Sequence, residues 1–306
     1  MKHTYLFSIA LALMTTTVGN SSAHVIQTAF SPAAIQGEAA VLGVAETEGQ
    51  PLTFTTVTCA DSTQYASTRY VVAYPTEGSE PLLSAVRNYI CRFIAPTLYN
   101  DDGSEATRPV YTGDKSNAKA VVSFFQQTNQ AQLEKGAKET IALMEDDNPW
   151  EGLTSTSYMT LRFYHQTAKF LTLTHETYNY DLGAAHGLET AGGVTFSKLT
   201  GKQVNRVVNR QKTRLMQALL KQGIYRLFKR QDPTITRAQA LASLQCGNTI
   251  PLPESEPYFG KNGVVFTYQP YEIACYAAGI ISFTVPYSQM LPYLTAEAKA
   301  LVPQGK

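Results

Sequence analysis

Histidines and acidic residues are the side chains of this sequence that could do acid–base or metal chemistry. His165, His175 and His186 lie ten and eleven residues apart, and imidazole is a common ligand of Zn²⁺. These spacings match no zinc-ligand pattern and no acidic partner accompanies them, so hydrogen-bonded or solvated histidines are favoured. Glu176 follows His175 directly, but neighbours on a strand point to opposite faces and cannot act as a pair. We therefore expect no metal and no cofactor.

Glu272 is the acidic residue with the most unusual surroundings. It follows Pro270 and Tyr271 in an aromatic and apolar stretch, where a carboxylate needs a partner such as an arginine, a backbone amide or a tyrosine hydroxyl. A carboxylate that stabilises a turn is favoured over a catalytic one.

Tyrosine is concentrated near the end of the chain. Tyrosine combines a rigid contact area with a polar tip, which suits recognition of a protein or a sugar. Packing in a core is the alternative for strand aromatics. The residues concerned are Tyr258, Tyr268, Tyr271, Tyr276, Tyr287 and Tyr293.

Common catalytic motifs are absent from the sequence. It contains no G-x-S-x-G, no H-E-x-x-H, no Walker A loop and no dinucleotide-binding glycine fingerprint between a strand and a helix. A catalytic pair without a local motif would escape such a search. A binding protein is therefore the leading interpretation, with a cell-envelope hydrolase around His186 and Glu272, or a purely structural envelope protein, as alternatives.

Hydrophobic periodicity predicts which elements position these residues. Clusters of strands and helices, rather than strict alternation, predict an α+β fold of two small α/β subdomains with antiparallel strand meanders and flanking helices. Strands are predicted at 52–74 (the second run stopped by Pro75), from Tyr158 to 163, at 170–180, around 194–199 after a glycine-rich connection at 183–193, at 263–268 and at 279–285. Helices are predicted after Ser79 and Pro81, and at 119–144, 210–229, 236–245 and 294–301.

The N-terminus resembles an export signal. A weakly positive start and an apolar run from Tyr5 to Met14 precede the small residues Ser21 and Ala23, which predicts a signal peptide over 1–23. We expect a leader at 24–50, a first module at 51–200 and a second at 201–306. No later stretch is apolar enough to span a bilayer, so a periplasmic or secreted protein without a transmembrane segment is expected.

The charge balance excludes some partners. The chain has 25 Lys and Arg against 24 Asp and Glu, with 16% charged and 44% hydrophobic residues. Nucleic-acid binders and polybasic membrane-surface proteins need a positive excess that is missing here. The strongest acidic run that could attract a basic partner is Glu145-Asp146-Asp147.

The four cysteines leave two interpretations open. An even count in an exported chain permits two disulfides, for which proximity favours Cys59–Cys91 and Cys246–Cys275. The other interpretation is four free thiols that pack as small hydrophobes, with Cys275 in an apolar, strand-like context. No C-x-x-C occurs, which disfavours a zinc ribbon or a redox motif.

Two stretches resemble a known family. Asn179–Gly187, continuing to Thr195–Lys202, contains a tyrosine, a glycine- and histidine-containing turn and a strand that ends in Thr-Gly-Lys. Gly263–Ala274, followed by Tyr276–Gly279 and Val285–Tyr287, is the more specific stretch. Together they resemble the RsiV-like family, in which a DUF3298 module follows a DUF4163 module. Val72-Ala73-Tyr74-Pro75 is similar to the start of the DUF4163 module.

The resemblance implies a non-catalytic extracytoplasmic binding module. Members of that family include a membrane anti-sigma factor that binds lysozyme and an accessory domain of peptidoglycan deacetylases. By this resemblance, lysozyme or a cell-wall component is the expected partner. The expected ligand-binding residues are Tyr180, His186, Tyr268, Tyr271 and Glu272.

Two positions depart from the family pattern. Ala184 stands where a second glycine is usual, and alanine would be strained if this position needed a positive φ. Cys275 stands where the family commonly has proline.

Overall fold

A computed structural model describes residues 51–100, 103–143 and 153–303. The predicted signal peptide, the leader and the acidic run Glu145-Asp146-Asp147 lie outside these residues. The strands are β1 Thr53–Ser62, β2 Ala66–Glu77, β3 Ser155–Gln166, β4 Phe170–Tyr180, β5 Leu188–Ser197, β6 Lys202–Gln203, β7 Tyr258–Phe259, β8 Gly263–Tyr268 and β9 Ile281–Pro286. The α-helices are α1 Leu82–Ile94, α2 Ala118–Ala142, α3 Gln217–Gln231, α4 Arg237–Ala242, α5 Tyr287–Met290 and α6 Ala296–Leu301, and 3₁₀ turns cover Arg210–Met216, Tyr276–Ala278 and Leu291–Tyr293.

The strands form two sheets. The larger sheet has six strands in the order β1 to β6, and the smaller has three in the order β7 to β9. Neighbouring strands are antiparallel except β2 and β3, which run parallel with Ala66 opposite Ser155. The predicted α+β class and the meander that starts at β3 are confirmed. The parallel pair was not predicted, and α1 and α2 form the connection that such a pair requires.

The first hydrophobic core lies between the six-stranded sheet and the two helices that connect β2 to β3. Leu82, Val86 and Ile90 recur at helical spacing on α1 and are buried. On β2, Tyr70, Val72 and Tyr74 face the same core at a spacing of two. Each such side chain contributes about 1.5–3 kcal/mol when it is fully buried.

The second core surrounds the three-stranded sheet. All six residues of β8 are buried, so both faces of this strand are covered. Leu220, Ile224 and Phe228 of α3 pack on the sheet together with α4 and α6. This core uses the C-terminal aromatics mainly as packing groups.

Hydrogen bonds join the two sheets. Thr172 Oγ1 on β4 donates to the Phe259 carbonyl at 2.8 Å, and the Phe259 amide donates to Thr195 Oγ1 on β5 at 2.9 Å. All three residues are buried. Strand β7 therefore covers part of the face of the large sheet opposite α1 and α2, and the rest of that face stays open.

Three details differ from the sequence prediction. Strand β2 continues past Pro75 to Glu77. Strand β3 pairs with it only as far as Val72, so at Pro75 no β3 residue needs a backbone N–H from this strand. Strand β5 begins at Leu188 and includes Gly192, where an added Cβ would lie 2.9 Å from the His175 ring. The helix predicted from 210 starts as a 3₁₀ turn.

The cysteines are four free thiols. Cys59 and Cys91 are buried, with Cys59 Sγ 3.2 Å from Ser123 Oγ. Cys275 is exposed just before a 3₁₀ turn, so its predicted apolar strand context is wrong. Among the helices of the described residues, none has the length and apolarity that crossing a membrane requires.

Candidate functional site

The connection from β4 to β5 carries the candidate site. It covers residues 181–187. Its third residue, Gly183, adopts the left-handed conformation (φ 92°). Ala184 has no positive φ, so the departure from a second glycine causes no strain. The connection ends in His186, which is exposed, and Gly187, which is buried.

His186 is held by hydrogen bonds from both ring nitrogens. Nδ1 lies 2.9 Å from the Gly187 carbonyl and Nε2 lies 3.2 Å from the Tyr271 hydroxyl. Because a carbonyl can only accept, Nδ1 donates to Gly187, and Nε2 is the ring nitrogen that bonds to the Tyr271 hydroxyl. The imidazole is therefore held in one orientation.

Two tyrosine rings lie beside this hydrogen-bonded histidine at inclinations of about 30°. His186 and Tyr276 stack with centroids 4.0 Å apart, and Tyr271 lies 5.5 Å from Tyr276. The interplanar angles among His186, Tyr271 and Tyr276 lie between 27° and 32°. Tyr276 also donates its hydroxyl to the Gly187 carbonyl at 2.7 Å. The result is a small set of nearly parallel ring planes.

Gly187 is needed where it stands. A Cβ at this position would lie 2.4 Å from the ring of Tyr178. The absence of a side chain allows Tyr178 to lie over the backbone beside Tyr276. Tyr178 is paired with Tyr158 across the β3–β4 ladder, with ring centroids 6.3 Å apart.

Tyr271 occupies a strained turn. Its φ of 71° is the only positive value of a non-glycine residue in the described part of the chain. This conformation costs about 1–2 kcal/mol for an L-residue. The side chain is 58% exposed, so the strain is not repaid by burial, and such outliers cluster at functional sites.

Glu272 stabilises that turn. Its two carboxylate oxygens accept from the backbone amides of Glu254 at 2.7 Å and Gln269 at 2.8 Å. Charge-assisted bonds of this kind are stronger than neutral ones. Both oxygens are therefore engaged by the backbone, which is the structural role favoured from the sequence.

Gln269 attaches the turn to the large sheet. Its side-chain amide donates to the Ala191 carbonyl at 2.7 Å and accepts from the Ala191 amide at 3.1 Å. These two bonds satisfy main-chain groups of β5 that no neighbouring strand pairs. They hold the turn against β5, so that Tyr271 lies beside His186 in the connection that leads into this strand.

Three exposed and three half-buried rings form one surface, which we call the aromatic face. On the open side of the large sheet, Tyr158 is 43% exposed, and the salt bridge between Arg162 and Glu176 lies nearby with both side chains 55% exposed. An exposed pair of this kind contributes little to stability. Partial burial and neighbouring tyrosines raise the pKa of Tyr178, so its hydroxyl stays neutral. The face consists of Tyr158, Tyr178, Tyr180, His186, Tyr271 and Tyr276.

The predicted site residues fall into three groups. His186 and Tyr271 contact each other, and Tyr180 lies two residues beyond Tyr178 on the same face of β4. Glu272 supports the turn from behind. Tyr268 is a correction, because its side chain is fully buried in β8 and its hydroxyl donates to the Pro251 carbonyl at 2.8 Å. A ligand at the surface cannot reach it.

Tyr158, Tyr178 and Tyr276 are site members that the prediction omitted. Tyr158 lies on one predicted strand and Tyr178 on the next, and alternation shows which face of its own strand each side chain occupies. Their pairing across β3 and β4 depended on the register, which the spacing alone did not fix. Tyr276 was recognised as part of the C-terminal tyrosine cluster without a role.

The other histidines do not join this site. His175 lies on the helix side of β4 with its ring 4.4 Å from that of Phe93, and His165 packs against Phe170. Burial lowers the pKa of His175 to about 4. In residues 51–100, 103–143 and 153–303, no three His, Cys, Asp or Glu side chains come together as a metal site would require.

The arrangement is suited to binding. An imidazole, tyrosine rings and hydroxyl groups can stack on a flat ligand and hydrogen-bond its edge. His186 and Glu272 line neither a cavity of about 230 Å³ beside α4 nor a larger one of about 690 Å³ beside α2. His186 bonds to no carboxylate within the described residues, so the site lacks a paired acid and base.

Comparison with known proteins identifies the C-terminal part. No curated protein matches the chain in sequence. A crystal structure of a DUF3298 family member from Bacteroides fragilis is similar with a TM-score of 0.60 and 14% identity, over 82% of this chain and 96% of that one. A DUF3298 family protein from Pseudomonas aeruginosa PAO1 is similar with a TM-score of 0.51 and 14% identity, over 81% and 97%. At this identity the likeness concerns the fold. The family model for DUF3298, a protein family of unknown function, matches residues 210–288.

Proposed function

We propose that this protein is an exported, non-catalytic binding protein of the cell envelope, and that its aromatic face holds a glycan of the cell wall. The observation that carries the proposal is Tyr271, an exposed side chain kept in a strained conformation beside the His186–Tyr276 stack. Strained residues with exposed side chains cluster at binding and active sites.

The chemistry of the face fits a sugar. The C–H faces of a pyranose ring pack on flat aromatic rings, and tyrosine hydroxyls bond to sugar hydroxyls at the ring edge. The near-parallel planes of Tyr271, Tyr276 and His186 offer such a surface. Tyrosine side chains lose little conformational entropy on binding, because only two torsions are fixed.

A catalytic role is less well supported. Glycosidic hydrolysis uses two carboxyl groups that flank the scissile bond, whereas the carboxylate of Glu272 is occupied by two backbone amides. On the open side of the large sheet, Glu176 is in a salt bridge with Arg162, and Glu189 lies opposite Tyr178 across the β4–β5 ladder. The resemblance to the RsiV-like family also supports binding rather than turnover.

Lysozyme is the second candidate ligand, by the same resemblance. It is a basic protein, and electrostatic steering toward it needs a local acidic surface. Beside the aromatic face, Glu176 is paired with Arg162, and Glu189 opposite Tyr178 is a single acidic side chain and not an acidic cluster. These charges favour the glycan.

Titration calorimetry with soluble peptidoglycan fragments, and separately with lysozyme, tests the proposal. We expect saturable fragment binding that Tyr271→Ala weakens by about tenfold, as loss of one stacked ring would. Phe163→Ala is the matched control, since the Phe163 ring is 39% exposed, packs on Phe54 and lines neither the aromatic face nor the cavity of about 690 Å³ beside α2. No binding of either ligand, or equal losses in the two variants, contradicts the proposal. Binding of lysozyme without binding of the fragments would assign a protein, and not a glycan, as the ligand.

A further inference from the structure

A second cleft lies on the opposite side of the large sheet. Its volume is about 690 Å³, and it is bounded by the C-terminal half of α2, the segment after α1, and the adjoining ends of β3 and β4. Small-molecule sites typically have volumes of about 300–1,000 Å³. The sheet itself separates this polar cleft from the aromatic face.

The floor of the polar cleft consists of neutral hydrogen-bonding groups. Tyr70, Ser155 and Ser157 line it and are 1%, 2% and 5% exposed, and Asn129 of α2 is 8% exposed. This is the side of the sheet that packs against helices, where apolar residues are the rule. Four almost fully buried polar side chains at one place therefore need an explanation.

Internal hydrogen bonds use part of this polar capacity. Ser157 Oγ donates to Asn179 Oδ1 at 2.7 Å, and Ser155 Oγ accepts from the Leu182 amide at 3.0 Å. These bonds leave the Asn179 amide N–H groups and the Ser155 O–H as donors for another molecule.

Tyr70 and Asn129 make up the deeper part of the floor. Burial raises the pKa of the Tyr70 hydroxyl, and a hydrogen bond with Asn129 partly offsets this effect. The hydroxyl is therefore neutral, and one such bond uses one of the four hydrogen-bonding positions of the Asn129 amide. Hydroxyl and carboxamide groups on a buried floor match the N–H and C=O of a peptide group.

The walls and the rim add two further features. Phe93 and Met159 provide apolar contact on the walls, and the Phe93 ring is already packed against Tyr89 and His175. Four charged residues line the cleft. Lys135 and Glu139 of α2 form a salt bridge with each other at 3.8 Å, and Arg108 and Asp181 supply one further cation and one further anion. A ligand with an apolar group and charges of both signs meets all of these surfaces.

We propose that the polar cleft binds a short peptide with free termini. Its main-chain amides bond to Asn129, Ser155 and Asn179, and an apolar side chain packs on Phe93 and Met159. Its carboxylate pairs with Arg108 and its ammonium group with Asp181. A neutral oligosaccharide would leave both Arg108 and Asp181 without a charged partner from the ligand.

The probe is the tripeptide Ala-Leu-Ala, used with free termini and in an N-acetylated, C-amidated form, and binding is followed by titration calorimetry on the full chain. We expect saturable binding of the free form that Asn179→Leu weakens by about tenfold. Arg108→Gln, at an exposed position, is expected to weaken the free form by about tenfold and to leave the blocked form unchanged.

Tyr271→Ala on the aromatic face is the control and should not alter peptide binding. Thermal unfolding of each variant verifies that it is folded. If Asn179→Leu is not folded, Arg108→Gln alone tests the proposal. Absence of saturable tripeptide binding overturns the proposal, as does an affinity that neither variant changes. Displacement of the tripeptide by N-acetylglucosamine oligomers would likewise assign the cleft to a sugar instead.

Discussion

His186 and Tyr276 stack with ring centroids 4.0 Å apart, and the Tyr276 hydroxyl donates to the carbonyl of the residue that follows His186. This contact joins the β4–β5 connection to the segment that the DUF3298 model matches. The aromatic face is therefore a product of both sheets and exists only when they are docked.

Replacing Tyr276 separates the two parts of this contact. Tyr276→Phe removes the hydrogen bond to Gly187 and should lower the free energy of unfolding by about 1 kcal/mol. Tyr276→Ala also removes the stacked ring and should cost about 0.5–1.5 kcal/mol more for the ring pair, besides the lost burial. Urea unfolding of both variants measures the difference. Equal losses would mean that the stack contributes nothing.

Relief of the strain at Tyr271 is a second prediction. Tyr271→Gly should give a protein about 1 kcal/mol more stable than Tyr271→Ala, because glycine adopts a φ of 71° without steric cost. Both variants should lose glycan binding to the same extent. Thermal unfolding compares their stabilities. Greater stability of the alanine variant would contradict the assigned backbone conformation.

Removal of the Glu272 charge should destabilise the turn. Glu272→Gln replaces one of the two acceptor oxygens by a donor that faces a backbone N–H. We expect a loss of about 1–3 kcal/mol in the free energy of unfolding. Glu254→Gln is the control, since at that residue the backbone amide makes the contact and the side chain is exposed. A similar loss in both variants would argue against the role of the Glu272 carboxylate.

Stability should fall with acidity because of His175. Burial lowers its pKa from 6.5 to about 4 in the folded protein. Between these values the unfolded chain binds more protons, so this contribution is fully present above pH 6.5 and is lost as the pH falls toward 4. His165 acts in the same direction.

His175→Leu tests this dependence. It should flatten the decrease of the unfolding free energy between pH 6.5 and 4, measured by urea unfolding at several pH values. His165→Gln should have the smaller effect, since burial is less complete at that residue. An unchanged slope in the His175 variant would show that another group is responsible.

The thiols should react in an order set by burial. In the native protein Cys275 should react first with a thiol reagent and Cys246 more slowly, whereas Cys59 and Cys91 should react after unfolding. Burial raises the pKa of Cys91 and of Cys246, which lowers their thiolate fraction. Cys275→Ser should remove the fast phase. Fewer than four thiols in the denatured protein would instead indicate disulfides.

Local patterns predicted much of the fold. Residues at helical spacing located α1, and alternation located β3 and β4, because these elements each bury one side. Alternation could not distinguish the role of Tyr268, since β8 is covered on both faces. The extent of β5 was underestimated because Gly192, which weakens a strand signal, is placed there by the ring of His175.

The site was predicted in part for the same reason. Tyr271 and Glu272 are close in sequence, so their turn was visible as a local motif. The stack of His186 on Tyr276 and the floor of the polar cleft depend on contacts between distant segments. Asn129 on a helix and Ser157 on a strand gave no joint signal, because nothing in their spacing shows that they share a cleft.

The parallel pairing of β2 with β3 has a consequence for how the chain folds. The β1–β2 hairpin and the β3–β5 meander consist of local contacts, whereas the seam between them begins with Ala66 opposite Ser155. Closing such a long connection is slow, so the two halves of the sheet should form first and join later. Tyr70 lies on one side of this seam and Ser157 on the other, so the polar cleft is completed in that last joining step.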